Sequence, residues 1–527
     1  MAKNVVIFSD GTGQAGGFRF DEERSNVYKL YRATRCGPDS SVNPHEQLAF
    51  YDPGLGSQAD GGHLMGRLLR WVHNTVAQAT GFGITRNIID CYAALVRLWE
   101  PGDRIFLFGF SRGAYTVRCL AGVIAKCGIP RHPAKRPDEL LRLDDASTHS
   151  LAAQAVKHIY QFTYPRKMRD ANPRQKFLLE IREELASRFR EDHGSFDQED
   201  RDKANVYPYF IGVFDTVAAL GNPVTSTLFT LAFLAFAAGL GIIGWLLTYF
   251  NETPLFGWLL AYLSFRNVFW GTIAAGALIA LAVYVFTHFK WAYELFHGDW
   301  RKSLRTMHFN SPWMQFYDYD LNSNVGYARH AISIDEDRKN FQRVPWYSTK
   351  ETSRDTYGIQ WFEQVWFAGN HSDIGGSYPE NESRLSDIAL DWMLKWASVI
   401  PGGLKYDERV IRLSPYPEGM QHDEVRTGFG VITRLTGYTW PKQHRTTASD
   451  AVVHRSVYHR FDLKAVQVYD VMIPYRPETL RTHKDFESYY RPSAPFPADS
   501  LETGTEMADE PPKATPSQTK LVAGDAE

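Results

Sequence analysis

Short, uninterrupted apolar runs closed by turn residues recur along the chain, a pattern that predicts strands buried on both faces. Lys3–Ser9 is such a run and stops at Asp10-Gly11-Thr12-Gly13, and Leu48–Tyr51 stops at Asp52-Pro53-Gly54. Arg104–Phe110 is rich in aromatics and predicts a central strand, while Tyr207–Phe214 and Gln364–Phe367 each end at a polar cluster. Between these runs the period changes. Ile84, Ile88, Cys91, Tyr92, Leu95 and Leu98 recur at helical spacing, and the pattern halts before Pro101-Gly102. Strand-like and helix-like segments in alternation predict an α/β fold, a mostly parallel sheet with helices on its faces. From 131 to 203 the chain turns polar and charged, with a helical stretch at Gln175–Arg190, and predicts a helical lid or surface insertion. The segment 492–527, rich in Pro, Ser, Thr and acids with almost no core formers, predicts disorder.

Two segments break this pattern. Val224–Phe250 runs for 27 residues without a charge, and Asn267–Phe289 for 23 with His288 as its one ionisable side chain. Both exceed the roughly 20 residues that cross a bilayer core, so they predict two transmembrane helices. Leu255–Phe265 between them predicts an interfacial or re-entrant piece. Lys290, Arg301, Lys302 and Arg305 follow the second span, against Arg266 alone in the loop, which sets both flanks on the cytoplasmic side. The expectation is a two-pass hairpin over 224–289, inserted between core parts 1–223 and 290–491, with the globular mass in the cytoplasm. The rival is a buried helical pair capping a soluble core. At the start of the chain, Val5–Phe8 is too short for a signal-peptide core, which predicts a cytoplasmic start.

Composition narrows the chemistry. In 527 residues, 58 Lys and Arg balance 60 Asp and Glu to a net charge of -2, which supplies no global field for nucleic acid. Four cysteines show neither a disulfide framework nor zinc spacing. Cys119 and Cys127 read as core-packing residues.

Gly109-Phe110-Ser111-Arg112-Gly113 is G-x-S-x-G, set between the strand at Arg104 and a helix from about Arg112 to Lys126. A serine there sits on a cramped strand-to-helix turn that tolerates only glycine on either side and lifts the hydroxyl into the open. A nucleophilic serine needs a base, and the base needs an acid to orient it. Asp215 follows Tyr207–Phe214 and His371 lies in a Gly-flanked loop after Gln364–Phe367, giving the order Ser, Asp, His. Asp373 competes with Asp215 for the acid role or holds its own loop; His454 and His459 are reserves for the base. Asp10, Gly11 and Thr12 end the first strand, where an oxyanion donor would arise, and Arg112 would either contact an anionic headgroup or pin the turn by a salt bridge. The glycine turn is no P-loop, because no Lys-Ser/Thr follows. A metal site gathered from Asp10, Asp215 and Asp373 is a rival without Ca²⁺-loop spacing.

The ordered segments VVIFSDGTGQ, SNVYKLYRA, YDPGLGS, PGDRIFLFGFSRGAYTVRCLAG, FIGVFDTVAALG, HAISIDEDRKNF, VWFAGNHSDIGGSYPE and LSDIALDWML span most of residues 1 to 400. As a set they resemble the DUF2235 proteins, whose domain is also described as the catalytic domain of Tle1-like type VI secretion phospholipase effectors. The resemblance implies an α/β-hydrolase fold and serine esterase or phospholipase chemistry without a cofactor, carried onto Ser111, Asp215 and His371. The motifs do not require the two apolar spans, which form an insertion between the Asp and His segments. The expectation is a membrane-anchored hydrolase of lipid esters. A membrane-disrupting effector or a noncatalytic membrane scaffold are the alternatives.

Overall fold

A computed structural model describes residues 2–11, 23–54, 82–163, 171–217, 223–249, 264–293, 299–310, 319–348, 353–427 and 439–490, with 433 and 437. Thr12, the loop at 251–263 and the tail at 492–527 lie outside the described residues. Six strands form the main sheet: β1 (Asn4–Ser9), β2 (Gln47–Asp52), β3 (Arg104–Phe110), β4 (Pro208–Phe214), β5 (Tyr327–Ser333) and β6 (Phe362–Phe367). Their order is β2-β1-β3-β4-β5-β6, and every neighbouring pair is parallel. All six carboxyl ends therefore share one edge. The strand order reverses between β1 and β3, and in open α/β sheets that reversal leaves a crevice outside the carboxyl ends.

The alternation of side chains along each strand divides the core into two faces. Val5, Ile7, Ile105, Leu107, Ile211 and Val213 point to one side, where α2 (Phe82–Leu98) and α3 (Arg112–Cys127) cover them with Tyr92, Leu95, Leu120 and Ile124. Val6, Phe8, Phe106, Phe108, Phe210 and Phe214 point to the other, under α1 (Asn26–Thr34). Each fully buried side chain of this size contributes about 1.5–3 kcal/mol, so the unbroken apolar runs are what fix the strands in the middle. Cys119 and Cys127 are buried in the first of these faces.

The charged region after α3 forms α4 (Asp145–Ala153), a π-helical turn (Gln154–Tyr160) and α5 (Pro173–His193). Ala152, Val156, Ile159, Ala186 and Phe189 pack from these elements onto the α2–α3 layer. Asn172 and Gln175 close a reciprocal capping box at the start of α5, and Gly194 ends it with φ 60°.

α6 (Pro223–Tyr249) and α7 (Phe265–His288) leave the carboxyl edge after β4. Gly241 lies against the Phe265 ring and Gly276 against the Phe233 ring, so the two helices run antiparallel with close approach at glycines. Among the described residues α7 is the helix long and apolar enough to cross a membrane, and none of its apolar window is buried. Of α6 the described apolar stretch is Thr230–Leu246, shorter than a span. Two spanning helices are thus matched by one among the described residues. The buried-pair alternative is overturned: Leu278, Ile279 and Phe286 are 66%, 65% and 87% exposed.

β5 was not legible as a strand from its pattern, because Arg329 and His330 interrupt it. Both are fully buried. Arg329 donates to the Gln360 carbonyl (2.9 Å) and lies over the Trp396 ring, and His330 Nδ1 shares a hydrogen bond with Gln364 (3.2 Å). Burial pushes His330 down to about 3, so it sits in the sheet as a neutral ring. After β6 come α8 (His371–Gly375) and α9 (Arg384–Val399), whose Ile388, Leu390 and Met393 complete the second face of the core.

Candidate active site

The turn between β3 and α3 is tight enough to exclude side chains at its glycines. A Cβ at Gly113 would stand 2.0 Å from the Ser9 carbonyl oxygen, and one at Gly109 would stand 2.4 Å from the Gly113 oxygen. Ser111, between them, is held at φ 58° and ψ −120°, a strained conformation for a residue with a Cβ. Its backbone N–H donates to the Phe214 carbonyl (3.1 Å), which ties the turn to the end of β4. The next residue along β4 is Asp215, also at positive φ (38°).

Asp215 is fully buried and saturated with donors. Ser333 N–H donates to Oδ1 (2.9 Å), Arg445 donates through Nη1 to Oδ1 (2.5 Å) and through Nη2 to Oδ2 (2.9 Å), and His371 Nδ1 lies 2.5 Å from Oδ2. Burial alone would raise this carboxyl; the Arg445 guanidinium and the His371 ring overcome it and hold Asp215 well below the usual carboxylate range. An ionised carboxylate only accepts, so His371 Nδ1 carries a hydrogen and the lone pair of the neutral ring resides on Nε2. That Nε2 is buried and has no hydrogen-bond partner.

The ring of His371 is clamped. Phe110 lies against it at 4.7 Å between centroids and Phe341 meets it edge-on at 5.4 Å. Its backbone N–H donates to Glu336 Oε2 (3.2 Å), and Glu336 is paired with Arg338 (2.7 Å), whose guanidinium stacks on Phe341. Burial would raise Glu336; Arg338 holds it low instead. Asp215 and His371 are therefore paired beyond the carboxyl ends of β4 and β6, and Phe110, the residue before Ser111, lies against the imidazole.

The other expected residues separate from this cluster. Asp373 does not face His371: its Oδ2 accepts from the Asn370 and His422 N–H groups (3.0 Å each) and its Oδ1 lies 2.8 Å from His422 Nδ1, closing the capping box of α8. These contacts lie within its own loop and the neighbouring His422. Asp10 accepts from Ser25 Oγ (2.5 Å), Tyr51 Oη (2.7 Å) and the Gly11 N–H (2.7 Å), pinning the end of β1 to α1 and β2. Gly11 lies beside Ser111, where a Cβ would come 3.4 Å from the serine Cβ, but its N–H is committed to Asp10. The expected donor from Gly11 is therefore corrected: the structure directs it to a side chain. Among the described residues Arg112 makes no ion pair, and burial pushes it down to about 10. The three aspartates bind different partners, and no cluster of metal-ligating side chains forms among the described residues. His454 caps the helix Arg455–Asp462 and stacks on Phe367, while His459 pairs with Glu418 at the surface.

Arg445, Glu336, Phe341 and His422 were missed. Arg445 is 230 residues from Asp215 in sequence, and nothing in its neighbours marks it. Glu336 follows β5, whose strand was itself not legible, so its place gave no signal either.

Residues 3–239 and 291–396 match the family described as T6SS phospholipase effector Tle1-like, catalytic domain. The chain belongs to this family. The Tle1-like match covers most of α6 and breaks off over its end and the whole of α7. The chain is 30% identical over 223 residues to the uncharacterized protein YEL023C of Saccharomyces cerevisiae, a match that covers 42% of this chain and 27% of that relative. Among solved structures, an uncharacterized protein from Pseudomonas aeruginosa is similar at 16% identity and TM-score 0.31, covering 79% of this chain and 48% of the other. The Tle1 effector bound to the VgrG spike of the type 6 secretion system is similar at 15% identity and TM-score 0.28, covering 73% and 53%.

Proposed function

We propose that this Tle1-like chain is a serine hydrolase of carboxylic esters in lipids, most naturally glycerophospholipids, with an α/β-hydrolase catalytic arrangement. Ser111 Oγ attacks the ester carbonyl while His371 Nε2 takes its proton and then returns it to the leaving alcohol, and Asp215 fixes the tautomer and stabilises the imidazolium. The first-turn N–H groups of α3, which have no intrahelical partners, face the developing oxyanion. Arg112 meets the phosphodiester of the substrate, since it stands next to the serine with no carboxylate of its own among the described residues. What carries the reading is the buried Asp215–His371 pair with its orphaned Nε2 at the same sheet edge as the strained serine.

α6 and α7 act as the anchor, a membrane-inserted pair with the globular part on the cytoplasmic side. Support comes from the exposed apolar faces of both helices and from the cations that follow α7. The test is a lipid-class hydrolysis panel with purified protein. Ser111→Ala is expected to abolish fatty-acid release and fluorophosphonate labelling; release unchanged by the substitution would end the proposal. The exposed apolar pair favours one second reading, bilayer disruption, which dye release from liposomes by the Ser111→Ala protein would support.

A further inference from the structure

A cavity of about 670 Å³ opens where the foot of α7 meets the globular body. Phe286, Phe289 and Trp291, at and just beyond the end of α7, supply an apolar wall; Arg86, Lys157 and Lys290 supply a cationic one. Among the described residues no carboxylate lines it. Arg86 is shared with Asp90 on its own helix (3.6 Å). Among the described residues Lys157 and Lys290 have no acidic partner: the Lys290 ammonium donates to the Lys157 carbonyl oxygen (2.9 Å), and burial together with the Lys157 charge pushes it down to about 8. Asp90 serves Arg86 and His149 (2.9 Å), so the two lysine ammonium groups, with no carboxylate of their own among the described residues, leave a positive potential that an entering anion relieves. Because α7 carries Phe286 at 87% exposure directly above this mouth, the anion that fits is one attached to an apolar chain. The volume lies in the range of small-molecule sites, and basic pockets at the ends of membrane helices suit lipid phosphates.

We propose that this cavity binds an acidic phospholipid, its phosphate between Lys157 and Lys290 and its acyl chains along Phe286 and α7. None of the lining residues belongs to the candidate active site, so the bound lipid is a second one, held as an anchor and not hydrolysed. The proposal rests on the reading that α7 lies in the bilayer.

Full-length protein is floated with vesicles of pure phosphatidylcholine and with vesicles containing phosphatidic acid. Wild type is expected to bind the acidic vesicles about tenfold more tightly, and K157Q/K290Q to lose that preference while still floating with neutral vesicles. K157R/K290R, which keeps the charge, is expected to restore it. An acidic preference that persists in K157Q/K290Q, or is absent from wild type that floats with neutral vesicles, overturns the site. Failure of wild type to float with neutral vesicles counts against the membrane reading of α7 instead, and an acidic preference lost in K157Q/K290Q still supports the pocket. Inorganic phosphate is the third arm. Displacement of acidic lipid by millimolar phosphate would assign the pocket to free phosphate and overturn its lipid identity; no displacement is expected.

Discussion

Four donors converge on the Asp215 carboxylate, and Arg445 supplies two of them from a loop far along the chain. A carboxyl held below its unfolded value contributes stability that is present above that value and lost as pH falls through the folded one. Arg445→Met leaves the buried charge uncompensated. It is expected to cost about 3–5 kcal/mol at neutral pH, and the loss should shrink in Arg445→Met/Asp215→Asn, measured by chemical denaturation. Activity should not return in the double variant, because Asp215→Asn alone is expected to lower kcat by about 10⁴-fold. In the proposed reading Arg112 acts on substrate. Arg112→Gln is expected to raise KM for a phospholipid by about tenfold to a hundredfold, with kinetics on a neutral short-chain ester unchanged. Equal losses on both esters would contradict its phosphodiester role.

Short helix α8 presents His371, and its position depends on the loop it begins from. Asn370 and Asp373 cap it reciprocally, and Asp373 also holds His422, which reaches Glu382 at 3.1 Å through its other nitrogen. Burial would lower His422, but Asp373 and Glu382 outweigh it and raise its pKa above the ordinary 6.5. The sign follows from that direction: stability from this ion pair is fully present below 6.5 and is lost as pH rises through the raised value. His422→Gln is therefore expected to lower Tm most in mildly acidic buffer, with the gap to wild type narrowing on the alkaline side. A gap that widens with pH would contradict the assignment. Element β5 shows the same dependence on neighbours, since Arg329 and His330 are tolerated in a central strand only because β6 and α9 bring them partners.

At the scale of the molecule, the parallel sheet sets one edge for chemistry, and α6 and α7 leave from that same edge. In the proposed reading, a membrane holding these helices lies on the side where lipid enters the crevice between β1 and β3. Leu278→Asp/Ile279→Asp places two charges on the outer face of α7, each costly in hydrocarbon. Vesicle binding and hydrolysis of vesicle lipid are expected to fall by more than about tenfold, while a water-soluble ester is cleaved at the wild-type rate. Loss of both activities would mean that α7 supports the fold.

The apolar runs by themselves determined β1, β3, β4 and β6, because a strand buried on both faces needs unbroken hydrophobicity and its neighbours add nothing to that requirement. The serine turn was equally legible, since two glycines around a serine between strand and helix encode a steric demand within five residues. The span-length apolar run of α7 was legible too, although its exposure was not. Only the tertiary structure separates the surroundings of Asp215 and Asp373: both follow strands in Gly- or Thr-flanked turns, but one carboxylate meets the imidazole and the other is consumed by its own helix cap. Arg445, Glu336 and the aromatic clamp of Phe110 and Phe341 were likewise decided by folding, because long-range charge compensation is a property of distances that a linear sequence does not contain.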